Sequence, residues 1–117
     1  MHEIDIAAQI LQAGQTEAER CSGARLVAVK VQIGVLAGVD EYALRFAWDV
    51  LSQQENTLAP RLEIITVPRR NLCEDCGAEF ASSATEAVCP VCSSRKSFLL
   101  GGDELQLASV EVEEWTP

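Results

Sequence analysis

Two Cys-x-x-Cys pairs, Cys73-Glu74-Asp75-Cys76 and Cys89-Pro90-Val91-Cys92, stand with twelve residues between them. That is the spacing of a four-thiolate zinc site: each pair offers two sulfurs from one tight loop, and two loops facing each other complete a tetrahedron. Gly77 after the first pair and Pro90 inside the second suit such loops. Glycine lets the backbone turn back, and proline fixes one dihedral in advance. Two disulfides, or a redox dithiol, are the competing readings. A redox motif needs only one pair, following a buried strand, and leaves the other unexplained. Cys73, Cys76, Cys89 and Cys92 are therefore expected to hold Zn(II). A closed four-cysteine site has no open coordination position, so the expected zinc is structural rather than catalytic.

What the remainder of the chain does has to be read from other residues. With 117 residues, 48% of them hydrophobic, it is long enough for one compact core plus a small metal-stapled satellite. A formal charge of −9 makes it a poor holder of polyphosphate backbones. Around the cysteines, Arg69, Arg70, Arg95 and Lys96 are balanced by Glu74, Asp75, Glu79 and Glu86, so the basic footprint of a nucleic-acid-binding ribbon is missing. Catalysis is equally short of parts. The lone histidine is at position 2, and no Ser-His-Asp set, glycine-rich phosphate loop or framed carboxylate pair is visible. The acidic start MHEIDIAAQ lacks the basic segment and apolar run of a secretory signal, and no apolar run approaches the length of a membrane span. Five cysteines, four of them on metal, fit a reducing compartment, so the expected location is cytoplasmic with no membrane partner.

Taken in order, the chain predicts a helix from Glu3 to about Cys21, with Ile4, Ala7, Leu11, Gly14, Ala18 and Cys21 on its apolar stripe and Ser22-Gly23 ending it. Cys21 reads as a small packing residue on that stripe. Arg25 to Ile33 alternates as a half-buried strand. After the loop 34–38, Asp40 stands at a helix N-cap, with Glu41 in the first turn. The second helix is read with Ala43, Ala47, Val50 and Leu51 inward, Phe46 and Trp48 flanking, and an end near Asn56. Leu62–Val67 is a second strand closed by Pro68, and a third runs from Glu104 to about Glu113. The alternation of the third strand slips between Leu105/Leu107 and Val110/Val112, and a bulge at Ala108-Ser109 would turn all four to the core. The expected fold class is α+β: two helices and a three-stranded sheet from residues 1–68 and 99–117, with a zinc-ribbon domain, 69–98, inserted between strands.

Met1-His2-Glu3 is a second informative stretch. A free α-amino group, the His2 imidazole and the intervening peptide nitrogens can wrap one metal ion, and an all-nitrogen square plane favours Ni(II) or Cu(II) over tetrahedral zinc. Taken alone, these residues read equally as an exposed histidine beside an initiator methionine. Together with GVLAGVDEYALRFAW, RLEIITVPRRNLCEDCG, the CPVC knuckle and GGDELQLASVEVE, however, they closely resemble the hydrogenase nickel-incorporation accessory proteins, the HypA/HybF family, over nearly the whole chain.

The resemblance implies a nickel metallochaperone rather than an enzyme. It implies that Ni(II) is held as cargo by the amine and backbone of Met1 and by His2, with Glu3 contributing. It also implies delivery, with a nickel-handling GTPase, to the large subunit of a [NiFe] hydrogenase. The chain departs from the family's habit at Ser93-Ser94, where many relatives carry Gly-Ser, at Trp48, where Phe is common, and at Ser97-Phe98-Leu99, where some members have a further histidine. A zinc-stapled protein-interaction adaptor is the alternative. The sequence leaves open whether the chain is a monomer or a homodimer.

Overall fold

The structure, a computed structural model, describes residues 2–21, 24–53 and 59–114. Met1, Ser22-Gly23 and Asn56, on which parts of the sequence reading fall, lie outside that set. The described residues form α1 (Glu3–Glu19), β1 (Arg25–Gly34), α2 (Glu41–Ser52), β2 (Arg61–Val67), β3 (Arg69–Cys73), β4 (Glu79–Ser82), β5 (Ser97–Gly101) and β6 (Leu105–Glu113). One three-stranded sheet has the order β2-β1-β6 and a second the order β4-β3-β5. The α+β class, with two helices and a three-stranded sheet beside a cysteine ribbon, is the class expected. Three of the six strands, β3 to β5, were not read from the sequence. The chain divides into two compact units, residues 1–31, 39–64 and 107–117 forming one and residues 32–38 and 65–106 the other.

In the first unit α1 and α2 pack on each other, and the middle of β1 supplies Val29 and Val31 to the core, both fully buried. Gly14 lets α1 approach β1 closely: a Cβ there would lie 2.9 Å from the Val29 side chain and 3.1 Å from that of Leu26. Helix α1 buries Ile6, Ala7, Gly14 and Ala18. The middle of the expected stripe holds, with Ala7, Gly14 and Ala18 buried and Leu11 half-buried, but its ends do not: Ile4 is exposed, and so is Cys21, which falls beyond the helix end instead of on its packed face.

Helix α2 begins as expected, with the Asp40 carboxylate accepting a hydrogen bond from the Ala43 N–H at 3.1 Å. Its buried face is Leu44, Ala47, Trp48 and Ser52, whereas Val50 and Phe46 are exposed. Trp48 is not a flanking residue but a core one, and its indole N–H donates to the Pro60 carbonyl at 2.9 Å, satisfying the one polar atom that burial would strand. In β6, Leu105 and Leu107 are exposed while Val110 and Val112 are half-buried, so the expected turning of all four to the core does not occur.

The second unit is built on β3, which pairs antiparallel with β4 (Asn71 opposite Phe80) and with β5 (Leu72 opposite Phe98). Loop 34–38 joins it through close backbone contacts. The Gly34 N–H donates to the Glu104 carbonyl and the Leu36 N–H to the Gly102 carbonyl, both at 2.7 Å. The apolar core at the cysteine end is small: Cys73, Phe80 and Cys89 are buried, with Ala78 and Ala87 packed against them.

Candidate metal centre

Each pair of cysteines sits on a loop with the same backbone pattern. In the first loop the Gly77 N–H donates to the Cys73 carbonyl at 3.0 Å and the Cys73 N–H to the Ala78 carbonyl at 2.8 Å. In the second, the Ser93 N–H donates to the Cys89 carbonyl at 2.8 Å and the Cys89 N–H to the Ser94 carbonyl at 2.9 Å. The fifth residue of each loop adopts positive φ, 76° at Gly77 and 65° at Ser93. That conformation explains the glycine at position 77, and it makes Ser93 a strained counterpart of it.

The first loop is anchored through β3. Asn71, fully buried two residues before Cys73, donates from its amide to the Ser82 hydroxyl at 2.9 Å, and its oxygen accepts from the Arg69 guanidinium at 2.9 Å. Arg69 also reaches the Ala84 carbonyl at 3.2 Å. Across the loops, the Ser94 hydroxyl donates to the Asp75 carboxylate at 2.5 Å and the Glu74 N–H to the Lys96 carbonyl at 3.0 Å. Sequence reasoning assigned the four cysteines but missed this clamp, because its members are ordinary polar residues whose pairing only the sheet register creates.

The four sulfurs of Cys73, Cys76, Cys89 and Cys92 all lie within 4.8 Å of one another. Cys73 faces Cys92 at 3.5 Å and Cys76 faces Cys89 at 3.6 Å, one sulfur from each loop in both cases. A tetrahedron with metal–sulfur bonds of about 2.3 Å has edges of about 3.8 Å, whereas a disulfide bond needs about 2.0 Å. The set therefore fits a four-coordinate metal, and all four cysteines are unbridged. A soft, all-thiolate donor set with tetrahedral reach is the chemistry of zinc.

The loops also prepare the thiols. Cys73 is lowered to about 7, first by the Cys76 N–H donating to its sulfur and further by the Asp75 N–H, against the opposing effect of burial. At Cys92 the Ser94 N–H pulls the same way, but the Cys73 thiol, burial and the other two sulfurs outweigh it and push the group up to about 12. The Ala78 N–H lowers Cys76, yet burial and the Cys89 sulfur carry that group upward on balance. One thiolate is thus ready near neutrality, while burial and the adjoining sulfurs hold protons on Cys76 and Cys92 until a cation arrives to replace them.

Of the residues expected to hold nickel, His2 and Glu3 lie at the start of α1, in the first unit, and Met1 lies outside the described residues. His2 is the N-cap residue; it is exposed, and its side chain makes no capping hydrogen bond. The first intrahelical bonds run from the Asp5 and Ile6 N–H groups to the His2 carbonyl, so the His2 and Glu3 N–H groups precede the helical ladder. Glu3 is half-buried, and its Oε1 accepts a hydrogen bond from the Asp40 N–H at 3.1 Å, tying the first turn of α1 to the N-terminus of α2.

The family of the chain follows from its similarity to known proteins. A family model described as hydrogenase/urease nickel incorporation, metallochaperone, HypA, matches residues 1–112. The hydrogenase maturation factor HypA of Cereibacter sphaeroides is 35% identical over 113 residues, covering 97% of this chain and 100% of that protein. The hydrogenase maturation factor HypA of Alkalilimnicola ehrlichii is 35% identical with the same coverage. Among solved structures, the nickel metallochaperone HypA from Helicobacter pylori aligns with a TM-score of 0.62 at 23% identity, over 96% of this chain and 97% of that one. A second HypA solution structure aligns at 0.66 and 22%, over 97% of each chain. At those identities the two structures speak for the fold, and the sequence matches carry the family. The chain belongs to the HypA family of hydrogenase nickel-incorporation metallochaperones, and its task is metal handling, not catalysis.

Proposed function

We propose that this protein binds one Ni(II) at its amino terminus and hands it, together with a nickel-handling GTPase, to the large subunit of a [NiFe] hydrogenase in the cytoplasm. The nickel ligands in this reading are the Met1 amine, the His2 imidazole and the peptide nitrogens of His2 and Glu3, with the Glu3 carboxylate contributing at the edge of the site. Residues 1–68 and 99–117 serve nickel, and residues 69–98 hold a structural Zn(II) on Cys73, Cys76, Cys89 and Cys92.

The observation that carries the reading, beyond family membership, is the state of the amides at the start of α1. A planar nickel site on peptide nitrogens needs N–H groups that no helix bond has claimed, and those of His2 and Glu3 come before the first such bond. The exposed, uncapped imidazole of His2 is likewise free to turn toward a metal. A site at a chain end also suits a carrier, because ligand exchange there displaces no packed core.

The test is nickel titration of the untagged, zinc-loaded protein by calorimetry and visible absorption, beside His2→Ala. One site per chain with the absorption band of planar nickel, lost in His2→Ala while zinc stays bound, is the expected result. Equal nickel binding in both proteins would move the site elsewhere. No specific binding in either would leave a zinc-stapled adaptor.

A further inference from the structure

The four cysteines face each other across the loops. Cys73 of the first loop meets Cys92 of the second at 3.5 Å, and Cys76 meets Cys89 at 3.6 Å, although the partners stand 19 and 13 positions apart in the chain. Each pair joins a buried cysteine to an exposed one: Cys73 and Cys89 are buried, Cys92 and Cys76 exposed.

Two ties that use no metal hold the loops in this relation. The Ser94 hydroxyl donates to the Asp75 carboxylate at 2.5 Å, and the Glu74 N–H donates to the Lys96 carbonyl at 3.0 Å. Each turn is closed on itself as well, by the Gly77 N–H on the Cys73 carbonyl and the Ser93 N–H on the Cys89 carbonyl. When a cation leaves, the sulfur in front of each exposed cysteine is still one from the opposite loop. That is the layout of an attacked cysteine and a resolving one.

A metal-bound sulfur is a thiolate, the form that reacts with peroxide. Peroxide entering from solvent meets Cys76 or Cys92 first. The sulfur attacks one peroxide oxygen, the O–O bond breaks, and the departing hydroxide takes a proton from solvent to become water, leaving a sulfenic acid. The facing thiolate, Cys89 or Cys73, then attacks the sulfenic sulfur. The S–S bond forms as the S–O bond breaks, and the second hydroxide also leaves as water. Two sulfurs thus give the two electrons that reduce one peroxide to two waters.

A disulfide sulfur carries no thiolate charge for a metal, so the first bond halves the donor set and the second empties it. Each pair has only about 1.5 Å to close before reaching disulfide length. Both links would run between the loops and replace the metal as their staple. Bonds inside each loop, Cys73 to Cys76 and Cys89 to Cys92, would instead leave the loops joined by the two polar ties and the small core of Cys73, Phe80 and Cys89.

We propose that the four-cysteine centre is a peroxide-responsive modification site, in which Cys73–Cys92 and Cys76–Cys89 disulfides form across the loops, expel Zn(II) and keep the ribbon folded for reloading on reduction. The expulsion rests on the zinc site proposed above; the pairing pattern does not.

The experiment uses the full-length, untagged, zinc-loaded chain carrying Cys21→Ser, which removes the exposed thiol outside the cluster. Zinc content is measured under reducing conditions before hydrogen peroxide is added. Zinc release is followed with a chromogenic chelator, and the product is cleaved after glutamate and mapped by tandem mass spectrometry. Cuts after Glu74, Glu79 and Glu86 put Cys73, Cys76 and the Cys89/Cys92 segment on separate peptides. The expected result is loss of the bound zinc for about two peroxides consumed, with Cys73–Cys92 and Cys76–Cys89 as the main disulfides. Circular dichroism should stay close to that of the reduced protein, and a dithiol reductant with Zn(II) should restore the original zinc content. Disulfides within the loops, sulfinic acids in place of disulfides, or zinc retained through peroxide treatment would overturn the proposal. A reduced chain that holds no zinc would refute the zinc site and the expulsion with it, whereas a cross-loop map from that same chain would uphold the pairing.

Discussion

Gly34→Ala tests how tightly loop 34–38 is fixed within the second unit. A Cβ at Gly34 would fall 2.0 Å from the Gly102 carbonyl oxygen, 2.2 Å from its carbon and 2.6 Å from the Asp103 nitrogen. All three are backbone atoms, so no rotamer change relieves the overlap. Nor can Gly102 retreat freely, because its own Cβ position lies 2.7 Å from the Arg69 Cα and 3.1 Å from the Pro68 carbonyl oxygen. Ordinary carbon–oxygen contact requires a separation near 3.3 Å, so the segments must part by more than about 1 Å. That displacement would stretch the two 2.7 Å hydrogen bonds, Gly34 to Glu104 and Leu36 to Gly102, beyond useful length. Two lost bonds at about 1 kcal/mol each, plus about 1–3 kcal/mol for overpacking, give about 3–5 kcal/mol, less up to about 1 kcal/mol recovered from the stiffer unfolded chain.

Urea unfolding of the zinc-loaded protein, followed by circular dichroism, should show this as a lower midpoint at unchanged slope. Gly38→Ala is the internal control. Its φ is 71° but nothing lies within 4 Å of its Cβ position, so it should lose only about 1–2 kcal/mol, from the left-handed backbone alone. A loss below about 1 kcal/mol for Gly34→Ala, or one no larger than for Gly38→Ala, would refute the steric reasoning.

Three further outcomes are expected. Ser93→Gly, at φ 65°, should relieve the strained fifth position of the second cysteine loop and stabilise the zinc-loaded protein by up to about 1 kcal/mol; a lower unfolding midpoint would contradict the matched-loop description. Zinc binding should release protons at pH 8, where Cys92, held up to about 12, is still a thiol, and should release more at pH 6, below the value of about 7 at Cys73. Zinc affinity must then fall more steeply with acidification below pH 7 than above it, and calorimetry in buffers of different ionisation enthalpy reads this directly. Nickel binding should weaken as pH drops, because the α-amine and peptide nitrogens must lose protons to ligate. A residue added before Met1 should abolish the planar-nickel band, and an unchanged spectrum in the extended protein would count against the terminal site.

How much of this was legible in the sequence depended on how local each signal is. The cysteine spacing is a local property, since both sulfurs of a pair come from one loop, and the four sulfurs converge as the spacing implied. The Asp40 cap was legible for the same reason, being a bond to a residue three positions on. Helix α2 misled because it contains two helical stripes. Periodicity alone does not say which of Leu44/Ala47/Trp48 and Tyr42/Phe46/Val50 meets the core, and the mixed face read from Ala43, Ala47, Val50 and Leu51 fell between them. Strands β3, β4 and β5 are five, four and five residues long, too short for alternation to declare itself, and their register is imposed by the loops they carry. Leu105 and Leu107 looked like core residues because they are leucines, but the edge strand β6 leaves them exposed.

The small core at the cysteine end bears on how the protein is made. Two of its three buried residues, Cys73 and Cys89, belong to the four-cysteine cluster proposed to hold zinc, leaving Phe80 and two flanking alanines to hold that end together by burial alone. With zinc on those sulfurs, folding of that end would be coupled to the cation's arrival. Synthesis proceeds from the amino terminus, and β6, the strand that completes the first sheet beside β1, is translated only after the whole cysteine stretch. A ribosome releasing this chain therefore presents the four clustered cysteines before the last strand of the first sheet exists. Cellular zinc supply is thus in a position to set how quickly a nickel carrier matures.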